Sequence, residues 1–190
     1  MTKFEYEYRA FMDNDVPDIR ATLDSAMKTD GLTKIVQTET DTYCVGGATD
    51  VAVRVREGQI KLKGPINAVD DLVDQYQDDR HSFPVNRQVI AEAVGIKEKK
   101  DKKLYSLDEL KDYMKEKGSK TSVVDKEMTK YTGPGIEVEV SRVVIDGTQR
   151  WTVCVAGHDV QKVRETVEKY GIKGVGTKMC YAEAVRQHGL

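Results

Sequence analysis

Glu5-Tyr6-Glu7-Tyr8-Arg9 opens the first strand of the chain, and its reading decides the fold. Side chains alternate along a strand, so the two carboxylates and the guanidinium project together while Phe4, Tyr6, Tyr8 and Ala10 share the other face. A half-buried antiparallel strand with its polar face in water shows the same alternation, so one stretch settles nothing by itself. Later strands repeat the pattern with a difference. Val51, Val53 and Val55 alternate with Arg54 and Arg56, Ile60 and Leu62 with Lys61 and Lys63, and Val138 and Val140 with Glu137 and Glu139. A solvated face mixes Thr, Ser, Gln and both signs of charge within one strand. Here each strand carries one kind of charge and the kinds differ between strands, which implies a shared polar concavity where Arg and Lys hold an anion and Glu residues hold a cation.

Phosphate chemistry suits such a concavity. A triphosphate carries several negative charges and needs more than one basic group, with guanidinium engaging its oxygens bidentately and Lys acting as a point charge. A hard ion such as Mg²⁺ takes oxygen ligands, usually from carboxylates and substrate phosphates together. Glu5 and Glu7 offer two carboxylates on one strand face. A metal and several cations would neutralise charge on a transferred phosphoryl group and position the attacking nucleophile.

The 190 residues suit one sizeable domain, and 39% hydrophobic with 33% charged residues predicts a soluble globular chain. Thirty basic against 32 acidic side chains leave a formal charge of −2, so no whole-molecule field points to nucleic acid or membrane, and any preference for anions must come from local clustering. The chain opens directly in charged strand sequence without a leader pattern, and no apolar run is long enough to span a bilayer, which predicts a cytosolic protein. Cys44, Cys154 and Cys180 fit neither a zinc site nor a redox dithiol and read as buried small hydrophobes.

After the opening strand, Val16, Ile19, Leu23, Ala26 and Met27 describe an amphipathic helix closed by Gly31. Strand-like runs follow at Lys34 to Cys44, Val51 to Arg56 and Gln59 to Lys63, with turns at Gly46-Gly47 and Glu57-Gly58. Asn67 is expected to cap a helix with Val69, Leu72, Val73 and Tyr76 on one face. From Ser82 to Gly118 two helical patterns flank the charged run 97–103. The second has a capping box, Ser106 with Glu109, a staple of Tyr105 on Leu110, and Gly118 at its end. Strands return at Thr121 to Tyr131, Gly135 to Ile145 and Gln149 to Val155, followed by a helix capped by Asp159 and a short one around Tyr181 and Val185.

These residues resemble the CYTH superfamily, the triphosphate tunnel metalloenzymes. Glu5-Tyr6-Glu7-Tyr8-Arg9 is similar to its opening Glu-x-Glu-x-Lys, with Arg for Lys. Asp41-Thr42-Tyr43 resembles its Asp-x-Tyr, Arg54-Val55-Arg56 its paired-basic strand, Lys61-Leu62-Lys63-Gly64-Pro65 its Lys-Gly-Pro, and Cys180-Tyr181-Ala182-Glu183 its Ser-Tyr closing helix. The resemblance implies an α+β fold built on an eight-stranded antiparallel β-barrel with surrounding helices: a single domain over residues 1–190 with a helical insertion at 82–118. It implies Mg²⁺ or Mn²⁺ at Glu5 and Glu7, which are then the catalytic residues, and phosphates at Arg9, Arg54, Arg56, Lys61 and Lys63. The substrates implied are inorganic triphosphate, nucleoside or thiamine triphosphate, or an RNA 5′-triphosphate, with no membrane partner. Lys126 and Lys130 look like the later basic strand, with Met128 where Arg is expected. The next-to-last strand of the family carries a Glu-x-Glu, but Trp151-Thr152-Val153-Cys154-Val155 has no carboxylate, so Glu137 and Glu139 stand as substitute metal ligands or as a solvated face. The functions in contention are metal-dependent triphosphate hydrolysis, ATP cyclisation on the same fold, and an inactive module that binds a nucleotide or polyphosphate.

Overall fold

Alternating β-branched and apolar residues form the strands, and the helices follow the 3.6-residue spacing of their buried side chains. The computed structural model describes residues 4–46, 49–98 and 101–188. In chain order the elements are β1 (Tyr6–Met12), α1 (Pro17–Thr29), β2 (Thr33–Val45), β3 (Ala52–Arg56), β4 (Gln59–Ala68), β5 (Asp74–Ser82), β6 (Val85–Asn86), α2 (Arg87–Ala93), β7 (Lys103–Leu104), α3 (Leu107–Glu116), β8 (Lys120–Gly133), β9 (Ile136–Ile145), β10 (Thr148–Gly157), α4 (Val160–Lys169), β11 (Thr177–Lys178) and α5 (Tyr181–Gln187). The main sheet runs β10-β9-β8-β2-β3-β4-β5-β1-β11, and β1 also pairs with β10. That pairing closes an eight-stranded antiparallel barrel with β11 as a short addition, an α+β fold. Closure removes the exposed sheet edges on which other chains could pair.

The chain divides into two compact units. The first takes the described residues of Met1–Glu39 with Asn67–Tyr76 and Asp125–Met179. Its core gathers Tyr8, Ala10 and Met12 of β1, Val138 and Val140 of β9, and Val153 and Val155 of β10 against Ile19 and Leu23 of α1 and Val163 and Val167 of α4. Pro17 begins α1 and Gly31, at φ 65°, lets the chain leave it. Asp159 caps α4 by accepting from Lys162 N at 2.8 Å. Val163 and Val167 are fully buried, each contributing about 1.5–3 kcal/mol of transfer free energy.

The second unit takes Thr40–Ile66, Gln77–Val124 and the described residues of Cys180–Leu190. Val53, Val55, Ile60 and Leu62 of β3 and β4 pack against Ile90 and Val94 of the α2 region and Leu110, Tyr113 and Met114 of α3. The capping box of α3 is present: Ser106 Oγ accepts from Glu109 N at 3.2 Å and Glu109 Oε2 accepts from Tyr105 N at 2.8 Å. Tyr105 is 65% exposed and Leu110 is fully buried. Glu57 and Gly58, both at positive φ, form the tight turn between β3 and β4. Of the Gly46-Gly47 turn and the 97–103 run, Gly47 and residues 99–100 lie outside the described residues.

One expected helix is replaced by strand and turn. Asn67 and Ala68 extend β4, and the chain re-enters the sheet as β5, whose Asp74 and Gln75 pair with Glu7 and Tyr6. Between them Asp70 Oδ1 accepts from Leu72 N at 2.8 Å and from Val73 N at 2.7 Å, and Val73 O accepts from Val69 N at 2.9 Å. Asp offers the backbone a turn in place of helical bonds, and the sheet provides β5 with partners the isolated sequence cannot display. The apolar residues still divide by burial: Val73 is fully buried and Val69 is 42% exposed.

Candidate functional site

In the first unit, Tyr8, Ala10 and Met12 point into the helix-packed core, so Glu7, Arg9 and Phe11 occupy the opposite face of β1. Register carries that face across two further strands. Glu7 lies beside Ala156, Arg9 beside Cys154 and Phe11 beside Thr152 on β10, and these lie beside Glu137, Glu139 and Ser141 on β9. The small side chains of β10 let the Arg9 guanidinium reach over them. Its Nε donates to Glu7 Oε1 at 2.8 Å, and its Nη1 donates to Glu139 Oε1 at 3.3 Å and Thr152 Oγ1 at 3.4 Å. Ser141 Oγ donates to Glu139 Oε1 at 3.0 Å. Lys130 Nζ stands 3.6 Å from Glu137 Oε1 and 3.8 Å from Glu139 Oε2.

Burial makes this cluster costly and informative. Glu7, Arg9, Lys126 and Glu139 are each less than a tenth exposed, and Asp41 in the second unit is wholly buried. Charges are taken out of water only where partners or a ligand offset their lost hydration.

In the second unit, Arg54 and Arg56 of β3 and Lys61 and Lys63 of β4 lie on the face opposite Val53, Val55, Ile60 and Leu62. Asp41 accepts from Arg56 Nε at 2.6 Å and Arg56 Nη2 at 2.8 Å, a bidentate pair that fixes the guanidinium plane. Arg54 Nε is 4.0 Å from the same carboxylate and has no hydrogen-bond partner among the described residues. Tyr43, beside Arg54 in register, stacks on Tyr181 of α5 at 5.1 Å. These contacts give Asp41 and Tyr181, noted in sequence only as motif landmarks, positioning roles.

Thus Glu7, Arg9, Lys130, Glu137 and Glu139 meet within one cluster, and Arg54, Arg56, Lys61 and Lys63 share one sheet face. Lys126 lies buried on the same face of β8 as Lys130. Glu5 directly precedes β1 and is exposed, while Glu7 is buried, and the Glu5 backbone pairs with Gly157 O and Tyr76 N. Ser141 and Thr152 belong to the cluster and were missed, since a lone hydroxyl residue in a strand carries no motif. The cysteines are buried, and burial pushes the Cys180 thiol up to about 11 and raises that of Cys44, which disfavours the nucleophilic thiolate.

Among the described residues no group of three or more His, Cys, Asp and Glu side chains is arranged to hold a metal ion. The donors at Arg9 are all oxygen: the buried carboxylates Glu7 and Glu139 with the Ser141 and Thr152 hydroxyls. Such a set fits Mg²⁺ or Mn²⁺ when ligand oxygens complete the coordination, and does not form a closed protein cage.

No protein-family profile matches the chain, and no curated protein matches it. Solved structures do. A conserved hypothetical protein of Pyrococcus furiosus superposes with a TM-score of 0.53 at 15% identity, over 93% of this chain and 98% of that one. The PH1012 protein of Pyrococcus horikoshii gives 0.52 at 13% identity, over 90% and 94%. The Hippeastrum protein HpAC1, whose description gives it a dominant triphosphatase activity, covers 98% of this chain and 97% of its own at 12% identity, with a TM-score of 0.47 that bears no weight on function. The likeness to the two Pyrococcus structures is one of fold, over nearly the whole of both chains.

Proposed function

We propose that the chain binds a triphosphate, free or carried by a nucleoside, thiamine or an RNA 5′ end, and hydrolyses its phosphoanhydride as the Mg²⁺ or Mn²⁺ complex. The observation that supports this reading is the burial of Glu7, Arg9, Asp41, Lys126 and Glu139 on the strands of a triphosphate-tunnel fold. Arg54, Arg56, Lys61 and Lys63 bind phosphate oxygens, with Asp41 holding the Arg56 fork in orientation. Arg9 holds Glu7 and Glu139 in place until the ligand arrives, then donates to a phosphate oxygen while those carboxylates face the accompanying ion. Lys126 and Lys130 balance the acids of β9. The divalent ion, once bound, withdraws charge from the phosphoryl group under attack.

A second reading, capture without hydrolysis, is favoured by a specific observation. Glu7 and Glu139 are already paired with Arg9, and β10 supplies no further carboxylate. One panel separates the two. Tripolyphosphate, ATP, GTP, thiamine triphosphate and triphosphorylated RNA are incubated with and without Mg²⁺ or Mn²⁺, reading phosphate and cyclic nucleotide. Metal-dependent phosphate release abolished by Glu7→Gln supports hydrolysis. Cyclic AMP identifies a cyclase, tight binding with intact ligand identifies a capture module, and neither binding nor turnover across the panel overturns the proposal.

A further inference from the structure

Lys120, at the first position of β8, has its Nζ buried and without a hydrogen-bond partner among the described residues. An ammonium withdrawn from water without an acceptor is destabilising, so its retention needs a reason. Its surroundings within the second unit supply one. The neighbouring Thr121 hydroxyl meets Cys44 Sγ at 3.6 Å, and Cys44 belongs to the helix-packed face with Val53. Successive side chains alternate, so Lys120 faces the other way, toward the side of the sheet that holds Arg54, Arg56, Lys61 and Lys63. β8 neighbours β2 in the sheet, and on this face Val45 of β2 is in register with Ala52 of β3 and through it with Lys63 of β4. The next row, about 7 Å along the strands, holds Arg54 and Lys61 in register, and Arg54 Nε is the other buried basic nitrogen of this face that lacks a hydrogen-bond partner. Lys120 Nζ and Arg54 Nε, both buried and without a hydrogen-bond partner among the described residues, with Asp41 no nearer than 4.0 Å to the Arg54 nitrogen, together form a receptor for an anion.

We infer that Lys120 is a further phosphate-binding residue, extending the anion-binding face of β3 and β4 beyond the basic residues that the sequence motifs identify. This rests on the triphosphate reading proposed above. Its ligand chemistry is a phosphate oxygen of a polyphosphate chain, taken by Lys120 Nζ as a charge-assisted hydrogen bond. Alternation from Lys126 through Val124 and Ser122 leads to Lys120, but it lies one residue before the strand that the sequence outlines.

The test is calorimetric titration of the full chain with tripolyphosphate in EDTA, which keeps metal out of the measurement, for wild type, Lys120→Met, Lys120→Gln and Lys120→Arg. Loss of one charge-assisted hydrogen bond raises Kd about tenfold or more in the Met and Gln variants. The Arg variant retains the charge and binds within about threefold of wild type, since Arg donates to phosphate as well. Removing an unpartnered ammonium leaves the ligand-free Met variant with a thermal midpoint equal to or above that of wild type. If that variant misfolds, Lys120→Gln carries the test. Wild-type binding with Met and Gln variants within twofold of it overturns the inference and leaves the triphosphate reading standing. No wild-type binding in EDTA overturns the inference, and no binding in a parallel titration with Mg²⁺ overturns the triphosphate reading with it.

Discussion

Replacing Arg9 with Met tests the charge cluster at its centre. The guanidinium is shared by Glu7 at 2.8 Å and Glu139 at 3.3 Å, with side chains 5%, 6% and 11% exposed in that order for Arg9, Glu7 and Glu139. At such burial solvent cannot screen the loss, and removing one partner of a buried pair costs about 3–5 kcal/mol. That is a large share of the about 5–15 kcal/mol that holds a typical domain folded. The loss depends on pH in a defined direction. Without Arg9, the two buried carboxylates lose the guanidinium they share, and burial favours their neutral, protonated forms. A group with a raised folded pKa destabilises as pH climbs through that value, and the penalty fades as both carboxyls take up protons. Urea unfolding of Arg9→Met against wild type is therefore expected to show the full loss near neutral pH and a much smaller one at about pH 4.5. Glu7→Gln with Glu139→Gln in the same chain should restore most of the stability at neutral pH. A loss under about 1 kcal/mol at neutral pH, typical of exposed pairs, or an equal loss at both pH values, would refute the account of a buried, mutually dependent cluster.

Three further outcomes are expected elsewhere in the chain. The Asp70 carboxyl is held below the ordinary carboxylate range by the backbone N–H groups of Val73 and Leu72 and by Arg164. Its contribution is present above the unfolded pKa and is lost as pH falls through the folded one, so Asp70→Asn should lower stability at neutral pH and flatten the acid limb of unfolding curves. Ser106→Ala removes the α3 cap and should cost about 1 kcal/mol in urea unfolding, with Ser106→Gly costing less. The Cys180 thiol, pushed up to about 11 by burial, should resist iodoacetamide at pH 8 in the folded protein and react at the rate of an ordinary thiol in urea, as read by mass spectrometry. Rapid native-state labelling would contradict its burial.

The sequence by itself determined the elements whose partners are local or whose pattern is periodic. Charge alternation placed Glu7, Arg9, Arg54, Arg56, Lys61 and Lys63 on their strand faces, and the Ser106 and Asp159 caps marked where α3 and α4 begin. Period-2 patterning reports a face, and a cap reports a hydrogen bond three residues away, so both are visible in one stretch of chain. Only the tertiary structure decided what crosses strands. Residues 67–76 read as a helix until β5 found Glu7 and Tyr6 as ladder partners and Asp70 bonded the turn. The carboxylate-free β10 read as a deficit, yet its Cys154 stands where Arg9 must reach Glu139 from β1, a relation between residues 130 positions apart. Glu5 and Glu7, equivalent in the opening motif, differ in burial, Glu5 exposed at the strand's start and Glu7 buried beside Arg9. Lys120 lies one residue before the strand that the sequence outlines, and only the contact of Thr121 with Cys44 shows which way it faces. Alternation says which way a side chain points; register across the sheet decides what it meets.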